Sequence, residues 1–307
     1  MGSWADSRLQ ELYLENIIFP ELPSFLLSIR DLVTLNLSRI PLEGYISPET
    51  MVTCLVSLPR LARLSISFSH YTLPSGRLDL DPATWTRTIL PALTSIDLDC
   101  SIRYMENLVA RIDCPRLNSL NLYPSDSYNY IKLQVSQIYE LINRSEDPLL
   151  TYFDWVDVDF SSDHIGLRAS HKNPHNAIFL SLSGENWKLS HLLQVFSQFS
   201  SMLSNVRHLT VYYSRVPYQT PTNLDWMQLL VAFSALRTVD LYGGHKLLEC
   251  VDGETAARLL PDLDLLYIEG RLVSSVSKFC AARRVSGHPV TLVRTNTEFY
   301  ERRQSYA

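Results

Sequence analysis

The sequence predicts an α/β solenoid in which short parallel strands alternate with helices along one continuous array. Two observations carry this prediction: an apolar pattern that recurs along the chain, and segments with helical apolar spacing between its copies. A third is composition, since 46% hydrophobic and 19% charged residues in a chain of 307 provide for a large buried core. Because a repeat array of this size forms one unit, we expect a single domain over residues 1–307.

The recurring pattern is Leu-x-x-Leu-x-Leu, with other apolar residues at some positions, at a mean interval of about 28 residues between residues 8 and 293. Its last two apolar residues lie two apart, so they point to one face of a short strand. Parallel neighbours need a crossover, usually a helix. The interval is typical of leucine-rich repeats, which predicts a horseshoe with strands on the concave face and helices on the convex face. The ten copies begin at Leu9, Leu32, Leu61, Leu93, Leu117, Leu150, Ala177, Val206, Leu236 and Leu263.

Helices are predicted between most of the strands. Ser47 followed by Pro48 and Glu49 is a typical helix start, and residues 189–203 carry one broad apolar stripe. Prolines before the strands stop each helix and turn the chain into the next strand. These prolines are Pro59, Pro91, Pro115, Pro148 and Pro261.

Three segments are expected to depart from the repeat. Residues 154–176, rich in Asp, Ser and His, are predicted to be an irregular insertion. Residues 289–293 supply a last strand, and residues 294–307 a C-terminal cap or tail. A solenoid needs a polar cap on each terminal repeat. The N-terminus is too short to supply one, so we expect an exposed apolar edge at Leu9, Leu12, Leu14 and Ile17.

Charge and targeting features narrow the function classes. A formal net charge of −5 disfavours nucleic acids and anionic membranes as partners, since these need basic stripes. The sequence has no signal-peptide pattern and no apolar stretch long enough to span a membrane. An odd number of scattered cysteines predicts reduced, mostly buried thiols and a cytoplasmic or nuclear protein. The cysteines are Cys54, Cys100, Cys114, Cys250 and Cys280.

Several phrases of the sequence resemble the leucine-rich-repeat region of mushroom-type fungal F-box proteins. They include LPSFLLSIRDLVTLNLSRIP at 22–41 and FCAARRVSGHPVTLV at 279–293, together with 44–66, 106–122 and 203–211. The resemblance implies that the repeats present a substrate while an F-box binds the adaptor of a ubiquitin ligase. No F-box precedes the first repeat, so a ligase adaptor is expected as a partner only if an F-box lies upstream.

Candidate catalytic and metal-binding residues have simpler interpretations. His171 and His175 have metal-capable spacing, but Asn173-Pro174 between them would break a helix, and a solvated loop is favoured. Gly243-Gly244 lacks the other residues of a phosphate loop and fits a strand-ending turn. Paired carboxylates at Asp97 and Asp99, and at Asp154, Asp157 and Asp159, suit either acid–base chemistry or a solvated face. We therefore expect no enzyme activity, cofactor or metal.

The favoured site is the concave face of the C-terminal repeats. The repeat register places His208, Tyr212, Asp240, Tyr242 and Tyr267 on the solvent side of three consecutive strands. Tyrosines of adjacent repeats would form a ladder, which is a typical protein-binding feature, although tyrosines can also simply cover a sheet. These observations favour protein recognition, as the substrate-binding region of an F-box-type ubiquitin ligase receptor. The alternatives are a free-standing scaffold or inhibitor without a ubiquitin link and, more remotely, a hydrolase that uses the insertion.

Overall fold

The structure is a computed structural model that describes residues 9–69, 86–124, 135–146, 152–161, 164–171, 173–183, 189–213, 222–243, 246–249, 253–269 and 274–295. It confirms an α/β protein in which most of the paired strands are parallel. The contacts within the chain define two compact units, Met1–Thr151 (unit 1) and Tyr152–Ala307 (unit 2).

Unit 1 is a regular succession of strands and helices. Its main sheet has the order β1-β2-β3-β5-β7, with every neighbouring pair parallel, and β4 and β6 form a separate parallel pair. Helices α1, α2 and α3 each pack against the helix that follows it, so α4 contacts α3. The elements are β1 (Glu11–Glu15), α1 (Leu22–Ser28), β2 (Thr34–Ile40), a 3-10 turn (Leu42–Gly44), α2 (Pro48–Val56), β3 (Arg63–Phe68), β4 (Thr88–Ile89), β5 (Ser95–Cys100), α3 (Ile102–Ala110), β6 (Ile112–Asp113), β7 (Ser119–Pro124) and α4 (Ser136–Asn143).

The repeated apolar residues form the core of unit 1. Leu35, Leu64, Ile96 and Leu120 lie side by side in register and are at most 1% exposed, and the residues two positions later form a second buried row. Burying a side chain of this size stabilises the fold by about 1.5–3 kcal/mol. Because the same buried rows run through neighbouring strands, the apolar pattern fixes the strand register.

Helices α2 and α3 of unit 1 begin with a serine N-cap. The Ser47 hydroxyl accepts a hydrogen bond from the backbone N–H of Thr50, so the predicted helix start is confirmed. Helix α4 is capped from the neighbouring helix instead, because the Glu106 carboxylate accepts hydrogen bonds from the N–H groups of Gln137 and Ile138 at 2.9 and 3.1 Å. Burial raises the pKa of Glu106 to about 7, although these hydrogen bonds lower it.

Unit 2 begins with an antiparallel meander and continues with parallel strands. Its sheet has the order β10-β9-β8-β11-β12-β13-β14, in which β8 pairs parallel with β11. The elements are β8 (Trp155–Phe160), β9 (His164–His171), β10 (Asn173–Ser183), α5 (Leu189–Gln198), α6 (Ser200–Leu203), β11 (His208–Tyr213), α7 (Asn223–Val231), β12 (Thr238–Tyr242), α8 (Lys246–Glu249), α9 (Gly253–Leu259), β13 (Leu265–Glu269), α10 (Ser274–Val285) and β14 (Thr291–Thr295).

The expectation that residues 154–176 are irregular is wrong, since they form β8, β9 and the start of β10. The reason is an alternating pattern: Ile165, Leu167 and Ala169 are buried beside the apolar residues of β8, and Gly166 and Arg168 separate them. The expected register of the copy at Leu150 is also wrong. Val156 and Val158 are the buried residues of β8, so Trp155 lies on the opposite face.

The core of unit 2 follows the predicted register beyond the meander. Leu209 and Leu241 are 0% and 2% exposed, which confirms, together with Leu120 in unit 1, that these leucines point into the core. The buried guanidinium of Arg283 on α10 donates hydrogen bonds to the carbonyl oxygens of Leu260 and Leu263 at 2.8 and 3.1 Å. These bonds tie α10 to the turn between α9 and β13.

The terminal strands differ from the inner ones in burial. Leu12 and Leu14 of β1 are only half-buried, and Ile17 is 49% exposed, as expected for this edge. Strand β14 matches the predicted last strand, while most of the expected tail at 294–307 lies outside the described residues. None of the helices that the structure describes is long and apolar enough to cross a membrane.

Candidate functional site

The candidate site is the face of the unit 2 sheet that points away from its leucine core. We call it the open face of unit 2, and define it by the residues of β8, β11, β12 and β13 that alternate with the buried apolar positions. The strand register arranges these residues in three rows. The first two rows are Trp155-His208-Thr238-Leu265 and Asp157-Thr210-Asp240-Tyr267, and the third contains Asp159 paired with Tyr212, with Tyr242 stacked on Tyr212.

A hydrogen-bonded aromatic network spans the first two rows. The rings of Trp155 and His208 are stacked with centroids 3.5 Å apart, and His208 Nε2 lies 3.0 Å from Asp240 Oδ2. The Trp155 indole N–H donates to Asp157 Oδ1 at 2.7 Å and to the Thr210 hydroxyl at 3.2 Å. The network fixes both rings on neighbouring strands. It can therefore present a preorganised, half-buried surface for binding.

Two of the predicted site residues are less accessible than expected. Asp240 and Tyr242 are only 4% and 7% exposed, so the expectation that they face solvent is wrong. The carboxylate of Asp240 is hydrogen-bonded to the His208 ring. The ring of Tyr242 is stacked on that of Tyr212, with centroids 5.0 Å apart. His208, Tyr212 and Tyr267 are half-buried and remain available for contacts.

The expected ladder of three tyrosines is present only as a pair. Tyr212 and Tyr242 share the third row, but Tyr267 lies opposite Asp240 in the second. The leucine pattern gives this offset, since Tyr212 and Tyr242 follow the last core residue of their repeats, whereas Tyr267 precedes it. Sequence reasoning missed Trp155 because it assigned this residue to the core. The spacing of Phe153, Val156 and Val158 also fits the repeat and gives the correct register.

Gly243 ends β12 in a turn, in agreement with the favoured interpretation. Its φ is +69°, a left-handed conformation that suits glycine, and a bridge pairs it with Tyr212. A Cβ at this position would lie 2.6 Å from the carbonyl oxygen of Tyr213. The glycine is therefore required where the chain leaves the open face.

A serine, a histidine and an aspartate meet at the β8–β9 connection. Ser161 Oγ lies 2.5 Å from His164 Nδ1, and His164 Nε2 lies 3.2 Å from Asp159 Oδ2. These residue types can activate a serine nucleophile. The same hydroxyl accepts the backbone N–H of His164 at 3.2 Å, which closes the turn. Of these three residues the sequence pattern singled out only Asp159, as one of several neighbouring carboxylates.

The remaining candidate ligands are used within the fold. His171 Nδ1 lies 3.2 Å from Asp154 Oδ1, and its ring contacts Tyr152 edge-on; the side chain of His175 lies outside the described residues. In the described ranges, no group of three or more His, Cys, Asp or Glu side chains is placed to hold a metal ion.

Three of the cysteines are buried, as expected. They are Cys54, Cys100 and Cys114, while Cys280 is half-buried and Cys250 lies outside the described residues. Burial raises the pKa of the Cys114 thiol to about 12 and that of Cys54 above its ordinary value. Because the thiolate is the reactive form, these thiols are suited to packing and poorly suited to nucleophilic chemistry.

Comparison with protein-family models finds no matching family, and comparison with curated proteins finds no matching relative.

Proposed function

We propose that the protein is a leucine-rich-repeat solenoid that binds another protein through the open face of unit 2. The observation that carries this proposal is the preorganised set of stacked aromatic side chains on that face, of which Trp155, His208 and Tyr212 are half-buried. Aromatic residues that are held in place provide a large contact area at low entropic cost. Protein-binding hot spots are enriched in such residues, while a strand surface needs none of them for its backbone hydrogen bonds.

The five predicted residues differ in burial, and we assign them different roles on that basis. Tyr212, Tyr267 and His208 are half-buried and would contact the partner directly. Asp240 and Tyr242 are buried beneath them and would position the contacting rings. Trp155, stacked on His208, joins the contact surface. Tyr and Trp combine an apolar ring with a polar group, so this surface can form both apolar contacts and hydrogen bonds.

The wider role that we propose is substrate recognition in an F-box-type ubiquitin ligase receptor, in the cytoplasm or nucleus. Its support is the resemblance of the repeat phrases to the corresponding region of fungal F-box proteins. The alternative is a free-standing scaffold or inhibitor without a ubiquitin link. Mass spectrometry of proteins that co-purify with the natural full-length product separates the two, because the ligase adaptor is recovered only in the first case.

Capture of the partner tests the binding proposal. The tagged chain and its Tyr212→Ser/Tyr267→Ser variant are used as baits in extracts of the source cells. The matched control is Leu224→Ser/Val231→Ser, which changes two residues on α7 that are 63% and 61% exposed. We expect a partner that the wild type and the control retain and the tyrosine variant loses. Equal capture by all three proteins would place the binding site elsewhere.

A hydrolase remains the competing candidate because of the contacts among Ser161, His164 and Asp159. We propose instead that Ser161 is structural, since its hydroxyl also closes the turn by accepting the N–H of His164. A fluorophosphonate probe labels activated serines covalently. We expect no labelling of the wild type, whereas labelling that the Ser161→Ala variant abolishes would establish the hydrolase.

A further inference from the structure

Unit 1 has an open face of different chemistry from that of unit 2. It consists of the residues of β1, β2, β3, β5 and β7 that alternate with the leucine core. Its central strands carry small polar side chains, which leave a shallow floor, and the aromatic residues Tyr13 and Tyr123 lie toward its two sides. The row through the middle of this face is Tyr13-Asn36-Ser65-Asp97-Asn121.

Two carboxylates lie on this face, on strand β5, beside neutral hydrogen-bond partners. Asp97 and Asp99 alternate on β5 and are both half-buried. Asp97 is hydrogen-bonded by the side chain of Asn121, and Asp99 accepts a hydrogen bond from the Ser67 hydroxyl at 2.9 Å. Burial raises the pKa of the Asp97 carboxyl, the Asn121 hydrogen bond lowers it, and the charge of Asp99 raises it further. Holding the two charges together therefore costs stability.

Arg63 and Arg39 form their contacts on the β1 and β2 side of this face, away from the two carboxylates of β5. Arg63 donates to the Thr34 hydroxyl at 2.7 Å and lies 3.5 Å from Glu11. Arg39 pairs with Glu15 at 3.3 Å. Both contacts are made toward β1 and β2, and β3 separates these strands from β5. Among the described residues of unit 1, no ion pair joins Asp97 or Asp99 to a cationic side chain, so the charge on β5 is complementary to an incoming cation.

A further hydrogen-bond acceptor lies in the same row. The Oδ1 atom of Asn36 is buried, and no donor in the described part of the chain reaches it. Asn36 is next to Ser65, and Ser65 is next to Asp97. Guanidinium and ammonium groups are donors without acceptor atoms, so the half-buried Ser65 hydroxyl and Asp97 carboxylate of this row match their chemistry.

We propose that the open face of unit 1 binds an extended protein segment that carries arginine or lysine, with Asp97 and Asp99 receiving the cationic side chains. The inference rests on the proposed function as a binding protein, but it concerns a separate surface and a partner of defined chemistry. A partner cation offsets the cost of two neighbouring half-buried carboxylates, which gives a physical reason for their presence.

Fluorescence polarisation with labelled peptides tests this proposal. The probes are a twelve-residue peptide of alternating arginine and serine and its counterpart of alternating glutamate and serine. For the wild-type chain we expect at least about ten-fold tighter binding of the arginine peptide. Asp97→Asn/Asp99→Asn should reduce this affinity at least about ten-fold without lowering the melting temperature, because the variant removes charges that burial disfavours.

Two further variants separate specific binding from general attraction. Glu43→Gln/Asp262→Asn removes the same charge at two exposed positions outside the strands and should leave the affinity within about two-fold. Ser65→Arg places a cation beside Asp97 and should abolish binding without unfolding the chain. An equal loss in the Glu43/Asp262 control, or tight binding by the Ser65→Arg variant, would overturn the proposal.

The two binding proposals fail separately. The unit 2 variant Tyr212→Ser/Tyr267→Ser should bind the arginine peptide as the wild type does. If the tyrosine variant loses its cellular partner and the wild type does not bind the peptide, the basic-segment inference is wrong and the proposed function stands. If the peptide binds through Asp97 and Asp99 but no partner depends on the tyrosines, the unit 2 site is wrong and the inference stands.

Discussion

Trp155 of β8 is stacked on His208 of β11, with 15° between the two ring planes. His208 in turn hydrogen-bonds to Asp240 of β12, so one chain of side-chain contacts crosses three parallel strands. A stacked aromatic pair contributes about 0.5–1.5 kcal/mol beyond its burial. These contacts hold the open face of unit 2 in one arrangement before any partner arrives, which lowers the entropic cost of binding.

The two tyrosines at 242 and 267 should respond differently to truncation. Tyr242→Ala removes a buried ring that is stacked on Tyr212, so we expect it to lower the free energy of unfolding by about 2–4 kcal/mol. Tyr267 is half-buried, and Tyr267→Ala should cost no more than about 1 kcal/mol. Urea denaturation of both variants measures the difference. Equal costs would mean that the described burial of Tyr242 is incorrect.

Leu209 tests the register of the core. Leu209→Ala should lower the free energy of unfolding by about 2–5 kcal/mol, because it leaves a cavity at a fully buried position. Val231→Ala on the exposed side of α7 is the control, and it should change stability by less than about 0.5 kcal/mol. Both values come from chemical denaturation, and similar values for the two variants would argue against the leucine register.

Gly243 tests the turn at the end of β12. Gly243→Ala should destabilise the protein by about 2 kcal/mol or more, because the residue has a φ of +69° and a Cβ would lie 2.6 Å from a backbone oxygen. Gly166→Ala is the matched control in β9, where the nearest atom would be 3.7 Å away. The melting temperature of the Gly166→Ala variant should not fall below that of the wild type. A larger loss at Gly166 than at Gly243 would contradict this description of the turn.

Glu106 should make stability depend on pH. Its pKa is about 7 in the folded protein against an ordinary 4.5, so between these values the unfolded chain ionises first and stability falls as pH rises. The loss levels off about one pH unit above the folded-state pKa and amounts to roughly 3 kcal/mol. Glu106→Gln removes the ionisation, so the difference in unfolding free energy between pH 4.5 and pH 7.5 should shrink. An unchanged difference would show that Glu106 does not titrate in this range.

The leucine spacing was sufficient to predict most of the elements of the fold. Leu209 and Leu241 lie where the pattern places them, and Ser47 starts a helix as its neighbours indicate. The meander escaped prediction because β9 carries no copy of the leucine pattern, and because β10, which carries the copy at Ala177, pairs antiparallel with β9. Alternation within Ile165, Leu167 and Ala169 was the available signal.

The sequence pattern predicted the sheet face of the candidate residues but not their burial. The pattern assigns Asp240 and Tyr242 to the face opposite the leucines, but it cannot indicate that His208 and Tyr212 from the next strand cover them. Burial on a sheet face depends on cross-strand neighbours, which require the register between strands. Trp155 was missed for the same reason, since a shift of one residue moves a side chain to the other face.

Site-specific photo-crosslinking tests the central claim, that a protein partner occupies the open face of unit 2. A benzophenone amino acid replaces Tyr267 in one protein and Val231, 61% exposed on α7, in the control. Each protein is irradiated in source-cell extract, and its adducts are identified by mass spectrometry. We expect one specific adduct from position 267 and none of the same mass from position 231. The same adduct from position 231 alone, with none from position 267, would contradict the claim.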